Sequence, residues 1–293
     1  MTLNYEKVIS WPIPEVTQEY TKRDTILYAL GIGAATNNPV DDDSLSFVYE
    51  KGLVAFPTMA VVLAPEPFWI ADPETGIDWK KLLHGEQRLT IHKPLPVTGK
   101  VIGRAKVDEV YDKGAGKGAV LVMSKQLVEA STGDLLATVG YSAFLRGDGG
   151  CGGRTEGAPK PHPIPERAPD ATLDLVTRPE QAVIYRLSGD YNPLHIDAIF
   201  ARAAGFDKPI LHGLCSYGVV GRAILKVLCQ GAAERLRRLD VRFANPVYPG
   251  ETIRTEIWRE GANKASFRAR VVERDVIVMN NGLAEFEASP INQ

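Results

Sequence analysis

The chain has 293 residues, 44% of them hydrophobic and 24% charged, the ordinary mix of a globular protein large enough for two modest domains. Thirty-four Lys and Arg against 36 Asp and Glu leave a net charge of -2, so there is no overall basic field for nucleic acid or acidic membranes. Three scattered cysteines (Cys151, Cys215, Cys229) without CxxC spacing argue against a disulfide framework and a thiolate zinc site. The opening MTLNYEKVISWPIPEV lacks the basic flank and apolar core of a signal peptide, and no apolar run reaches the roughly 18 residues of a membrane helix. The final Pro-Ile-Asn-Gln is not a peroxisomal address of the SKL type. The expectation is a cytoplasmic protein in a reducing compartment.

From the N-terminus, Tyr28-Ala-Leu-Gly31 closes a helix-like run. Gly31-Ile-Gly33 is therefore a poor dinucleotide loop, which needs a strand before it. Period-two alternation predicts strands over 97–107, 119–129 and 135–145. Residues 147–170 then shift composition, with a glycine cluster at 147–153 followed by Pro159, Pro161, Pro163, Pro165 and Pro169. Such a stretch orders poorly and lacks backbone donors, so it reads as a linker between an N-terminal domain (1–146) and a C-terminal domain (171–293). Its glycines could cradle a phosphate, but no helix-forming segment follows them.

In the second half Thr177-Arg-Pro-Glu180 has the form of a capping box before a short helix that ends at Gly189. Asp197 can cap a second helix closing near Gly205. Residues 213–228 are apolar on nearly every side, as a buried helix should be. Alternation follows at Leu239, Val241 and Phe243, at Ile253, Thr255 and Ile257, and at Phe267, Ala269 and Val271, then over 276–279 and 283–286. A helix followed by antiparallel strands gives the α+β class. The halves also look duplicated. Arg88-Leu-Thr-Ile-His-Lys-Pro-Leu-Pro-Val-Thr-Gly99 matches 238–250 at an offset of 150, and Tyr28-Ala-Leu-Gly31 echoes Tyr185-Arg-Leu-Ser-Gly189.

Of five histidines, His162 lies in the linker, where it reads as inert, and His92 reads as part of a solvated strand face. His84 and His212 each precede a glycine, which permits close backbone approach to a ligand but equally suits an ordinary turn. The dense segment is Tyr185-Arg-Leu-Ser-Gly-Asp-Tyr-Asn-Pro-Leu-His195-Ile-Asp197. Gly189 and Pro193 forbid a continuous helix there. The resulting turn could bring Asp190 and His195 to one point, with Asn192 between them, as an acid–base pair sharing a water; a plain capping and turn role is the alternative. A metal site from His195, Asp197 and His212 lacks compact spacing, and Asp197 has a ready capping role. A Ser188-His195-Asp190 triad has no GxSxG elbow around Ser188.

The segment 185–197, with Ala204-Gly-Phe-Asp-Lys-Pro-Ile-Leu-His-Gly-Leu-Cys215, resembles the hydratase 2 motif of MaoC-like proteins, the (R)-specific 2-enoyl-CoA hydratase 2 family. Leu83-His-Gly-Glu-Gln87, Lys93-Pro-Leu-Pro96, Asp112-Lys-Gly114 and Arg242-Phe-Ala-Asn-Pro-Val-Tyr-Pro-Gly250 extend the resemblance over nearly the whole chain. It implies a double hot-dog fold, two antiparallel sheets each wrapped on a long central helix, in a homodimer. It implies that Asp190 and His195 are the catalytic pair, that Asn192 positions the water or the pair, and that the Gly213 N–H stabilises an oxyanion. An acyl-CoA thioester would be the substrate, with no metal or redox cofactor. His84, Gly85, Lys113, Tyr191 and Phe243 would contact substrate or CoA, whereas Arg222 and Lys226 read as snorkelling surface groups.

In the first repeat the positions matching the catalytic pair fall near Ile32 or Gly33 and Asn37, so one site per chain is expected. The emptied copy would leave room for a longer acyl chain, lined by 31–35 and 56–59. Within the resemblance the alternatives are a MaoC-like dehydratase of another 3-hydroxyacyl thioester, a thioesterase on the same fold, and a non-catalytic acyl-CoA-binding hot-dog protein.

Overall fold

The computed structural model describes residues 3–36 and 42–288; Asn37 lies outside them. The first half supplies helices α1 (Tyr5–Ile9), α2 (Lys22–Gly31) and α3 (Asp42–Val48), and strands β1 (Val16–Tyr20), β2 (Leu82–Ile91), β3 (Gly99–Asp112), β4 (Ala119–Glu129) and β5 (Leu135–Leu145). The second half supplies α4 (Gln181–Tyr185), α5 (Ala198–Ala203), α6 (Gly213–Cys229), β6 (Ala171–Val176), β7 (Leu236–Phe243), β8 (Thr252–Arg259), β9 (Lys264–Val271) and β10 (Val276–Phe286).

The duplicated segments meet at the centre. Strands β2 and β7 run antiparallel with Leu89 opposite Leu239, the two residues that correspond at an offset of 150. A pseudo-twofold axis therefore passes through that leucine pair. The strands continue outward in the order β1-β3-β4-β5-β2-β7-β10-β9-β8-β6, one sheet in which each half repeats the other. Around the same axis the equivalent Tyr28 and Tyr185 rings pack 6.0 Å apart. The α+β double hot-dog architecture stands, with the two expected sheets fused edge to edge into one.

The helices break the symmetry. Helix α6 is buried almost throughout and lies across β6, β7 and β8, so its all-round apolarity is explained. No second long helix occurs among the described residues, contrary to the expectation of one per half. A 3-10 turn, Pro57–Val61, packs on α6 instead. Pro57, Pro65, Pro67 and Pro73 lack the N–H a helix ladder needs, which is why this region breaks into short turns. A Cβ placed on Gly221 of α6 would lie 3.0 Å from Thr58 Cγ2, so helix and turn pack backbone-close.

Other local expectations are also corrected. Thr177 does not cap a helix: its hydroxyl donates to Glu251 O and accepts from Gly250 N, and α4 begins at Gln181. The expected segments 276–279 and 283–286 are one strand bulged near Asn281 and Gly282. The outermost strands β1 and β6 were not foreseen from the alternation; each is short and pairs on one side only. In the glycine cluster the N–H groups of Gly150 and Gly152, with that of Gly114, point at the Asp112 carboxylate at 2.8–3.0 Å. Those donors, first among them Gly150, hold the Asp112 pKa below its ordinary value. The anion in that cradle is the protein's own. The proline-rich stretch lies along the second-half strands: Trp258 Nε1 donates to Arg167 O, and His162 Nε2 and Ser266 Oγ are 2.7 Å apart, so His162 is a structural tie.

Candidate active site

The chain turns sharply at Gly189, whose φ of 116° lies in the left-handed region that glycine occupies without strain. Asp190 follows, half-buried, and its carboxylate accepts from the N–H of Asn192 at 3.2 Å. Asn192 Oδ1 accepts from Leu194 N and starts the 3-10 turn Pro193–His195, with Pro193 in the position where a missing N–H is harmless. Asn192 thus acts on the pair through its backbone and by capping, while its side chain is committed locally. Asp197 caps α5 by accepting from Ile199 N and Phe200 N, as its position suggested.

This turn places Asp190, His195 and His212 so that one ligating atom of each lies within 4.8 Å of the others. The two imidazoles stack with centroids 3.7 Å apart. Only 9% of His195 and 1% of His212 is exposed. Burial pushes both pKa values below the ordinary 6.5, and for His212 the neighbouring His195 adds to the effect. His195 Nδ1 lies 2.9 Å from Ile210 O, and His212 Nε2 lies 3.1 Å from Asp190 O. A carbonyl oxygen can only accept, so each of these nitrogens carries the proton and the other nitrogen of each neutral ring carries a lone pair. In His212 that nitrogen, Nδ1, is buried without a hydrogen-bond partner.

His212 is followed at once by Gly213, which opens α6 and is exposed. Its N–H belongs to the first helical turn, where no intrahelical acceptor exists and the helix dipole favours negative charge. A Cβ on Gly213 would lie 3.4 Å from the Phe243 ring, and that ring meets the His84 ring edge-on at 5.0 Å. His84 is aimed there by a bulge: its partner on β5 is Ala143 and that of Glu86 is Ser142, which leaves Gly85 as the extra residue. Five residues singled out from the sequence (His84, Asp190, His195, Gly213, Phe243) are therefore linked through His212 by contacts that span both halves, with Gly85 the bulge residue beside His84.

The remaining candidates lie further out. Tyr191 is exposed, with the Arg186 guanidinium over its ring at 4.9 Å. Lys113 is exposed on the β3–β4 turn. Of the segments expected to line an acyl space, Ile32, Ala34 and Phe56 are buried in the core and Gly31 abuts the Tyr185 backbone. Met59 borders a cleft of about 120 Å³ with Leu27, Tyr28, Leu187 and Gly189. A second cleft of about 160 Å³ opens beside His84 between Glu66, Phe68 and Tyr141. Arg222 is not a surface group: it donates to Ile32 O beside Gly33, and burial lowers its pKa to about 10. The place of His212 in the cluster was legible only as a histidine before a glycine; its contact with Asp190 spans 22 residues of sequence.

A duplicated antiparallel sheet with an acid–imidazole turn facing the start of the long helix α6 defines a double hot-dog protein of the hydratase and dehydratase class. The comparisons agree on this class. Residues 18–147 match the MFE-2 hydratase 2 N-terminal domain and residues 161–282 match the MaoC like domain. The chain is 42% identical to 3-hydroxyacyl-thioester dehydratase Y of Mycobacterium tuberculosis, over 92% of this chain and 94% of that protein. It is 36% identical to a peroxisomal enoyl-CoA hydratase 2 of Arabidopsis thaliana, over 94% of this chain and 93% of that one. A MaoC-like dehydratase from Phytophthora capsici superposes with a TM-score of 0.86 at 37% identity, covering 97% of this chain and 99% of that one. The chain belongs to the MaoC-like hydratase 2 family. Among the described residues no helix is long and apolar enough to cross a membrane.

Proposed function

We propose that the protein is a hydro-lyase that adds water to trans-2-enoyl-CoA to give (3R)-3-hydroxyacyl-CoA, and catalyses the reverse dehydration. The observation that carries this reading is the meeting of the Asp190 carboxylate and the His195 imidazole beside the free N–H end of α6. With His195 Nδ1–H held by Ile210 O, the other ring nitrogen is an acceptor. A water donating one hydrogen to that nitrogen and one to Asp190 presents its oxygen lone pair outward, toward C3 of the enoyl thioester. As the C3–O bond forms, charge moves onto the thioester oxygen, where the Gly213 N–H and the helix dipole stabilise it. The proton taken from the water then passes to C2. Oxygen and hydrogen reach the alkene from one face, which makes the addition syn. No step calls on a metal or redox cofactor.

Asn192 supports the turn. His84 and Phe243 wall the side where the thioester enters, with Gly85 setting their approach and with Lys113 and Tyr191 outside for the CoA arm. The N-terminal domain (1–146) gives the substrate wall and the C-terminal domain (171–293) the catalytic turn. A homodimer belongs to this reading; Ile196, Ile199 and Phe200, exposed around α5, are a surface that would gain from cover. The three free thiols fit a reducing compartment such as the cytoplasm, although the Arabidopsis relative is named as peroxisomal.

The test is loss of the conjugated enoyl thioester absorbance with crotonyl-CoA and trans-2-decenoyl-CoA, followed by product chirality. Hydration to the 3R product is expected, and Asp190→Asn should lower turnover by about 10² or more. Release of free thiol, a 3S product, or binding without turnover would each overturn the proposal.

A further inference from the structure

The short segment 210–212 ties down both members of the acid–imidazole pair. Ile210 O accepts from His195 Nδ1 at 2.9 Å, and His212 Nε2 donates to Asp190 O at 3.1 Å. The segment is itself fixed. Leu211 N donates to Val247 O at 2.7 Å, and His212 O accepts from Ser216 N of α6 at 3.0 Å.

The two ties are not equally needed. His195 is buried, its backbone N–H donates to Asn192 O, and its ring stacks on that of His212 with centroids 3.7 Å apart. Asp190 is only half-buried, and its carboxylate accepts from Asn192 N two residues on, a bond internal to the turn. Among the described residues the His212 bond is the one hydrogen bond that joins residues 189–192 to a segment outside the turn. An acid that must share a water with an imidazole tolerates little drift, because a misplacement of about 1 Å can cost about 10² in rate.

His212 is placed to hold and not to react. It is 1% exposed, with the His195 ring stacked on it and the Tyr185 ring centred 5.1 Å away. We infer that His212 is a positioning residue for hydration: by donating Nε2–H to the Asp190 carbonyl, it keeps the Asp190 carboxylate within reach of the water that His195 also holds. What the reaction uses is the N–H, not the basicity of the ring. The kinetic consequence rests on the hydration reading, whereas the tie itself can be measured without it.

Two substitutions separate the parts of the side chain. His212→Phe keeps a ring against His195 and deletes the donor; His212→Gln keeps an N–H at the position of Nε2 and deletes the ring. With crotonyl-CoA, His212→Phe should lower kcat by about 10- to 10²-fold and leave KM within about twofold. His212→Gln should rescue kcat to within about fivefold of the parent. Circular dichroism establishes that each variant is folded. Without substrate, ¹⁵N relaxation should give the amides of Tyr191 and Asn192 order parameters of about 0.85 in the parent and in His212→Gln, and below about 0.6 in His212→Phe. The ring ¹⁵N spectrum of the parent should show His212 protonated on Nε2, which decides even where a variant does not fold. A parent that does not hydrate crotonyl-CoA would sink the functional reading, and the order parameters would still decide the tie. The inference is overturned by a His212 proton on Nδ1, by equal order parameters in parent and His212→Phe, by parental kcat in His212→Phe, or by a His212→Gln as slow as Asp190→Asn, which would make the imidazole a proton carrier.

Discussion

Replacing Gly218 of α6 with alanine tests how tightly the first half is locked against the catalytic helix. A Cβ there would lie 2.3 Å from Cγ2 of Ile32, 3.0 Å from its Cβ and 3.3 Å from the Tyr28 hydroxyl. Carbon atoms in contact sit about 3.5–4.0 Å apart, so the overlap with Cγ2 exceeds about 1 Å. Ile32 is completely buried, and the Tyr28 hydroxyl is held at 2.8 Å from Thr58 Oγ1, so neither yields freely. Overpacking of this kind costs about 1–3 kcal/mol. Alanine in place of glycine inside a helix returns about 1 kcal/mol. An overlap this deep belongs at the upper end of the penalty, which leaves Gly218→Ala destabilised by about 1–2 kcal/mol.

The measurement is urea unfolding of Gly218→Ala alone and combined with changes at Ile32. Ile32→Ala deletes the offending methyl and should couple favourably with Gly218→Ala by about 1–2 kcal/mol. Ile32→Val keeps both γ-carbons and should not couple. If Gly218→Ala is more stable than the parent, or if valine and alanine at position 32 behave alike, the close approach of the two halves is not what the glycine serves.

Two further outcomes follow from the charged and titrating groups. Because burial disfavours the imidazolium of His195 and His212, both remain neutral acceptors below pH 6.5, and the acid limb of kcat/KM for crotonyl-CoA should fall below that pH; a midpoint at or above 6.5 in the pH–rate profile would contradict the buried geometry. Asp112→Asn removes the charge that gathers three N–H groups and should cost about 1–2 kcal/mol in urea unfolding at pH 7. The Asp112 pKa is depressed in the folded chain, so its contribution is present above the unfolded value of 3.8 and disappears as pH falls through the folded one. Parent and variant should thus converge in strong acid; a constant gap from pH 7 to below 3.8 would refute the carboxylate's role.

Much of this protein was written locally. The alternation at Leu239, Val241 and Phe243, the uniformly apolar run of α6 and the cap at Asp197 each answer to neighbours a few residues away, and they form as expected. The repeat at an offset of 150 went further, because two copies of one fold unit can bury their central strands only by pairing them, which sets Leu89 against Leu239. The Gly189–Pro193 bend likewise announced the acid and the first imidazole, since those two residues forbid a helix there.

Local pattern failed wherever a distant group satisfied a backbone or side-chain demand. Thr177 has the sequence of a helix cap but bonds to Gly250 and Glu251, because the strand-entry loop offered better-placed partners. Arg222 lies on a helix face that spacing alone leaves open, and the first half buries it against Ile32 O. No second long helix forms among the described residues because proline-broken turns fill its space on α6. His212 enters the cluster only when the sheet brings the start of α6 against the Asp190 turn, a contact between segments 22 residues apart. Local propensity and periodicity decide what each segment becomes; which side chains meet is decided when those segments compete for the same volume.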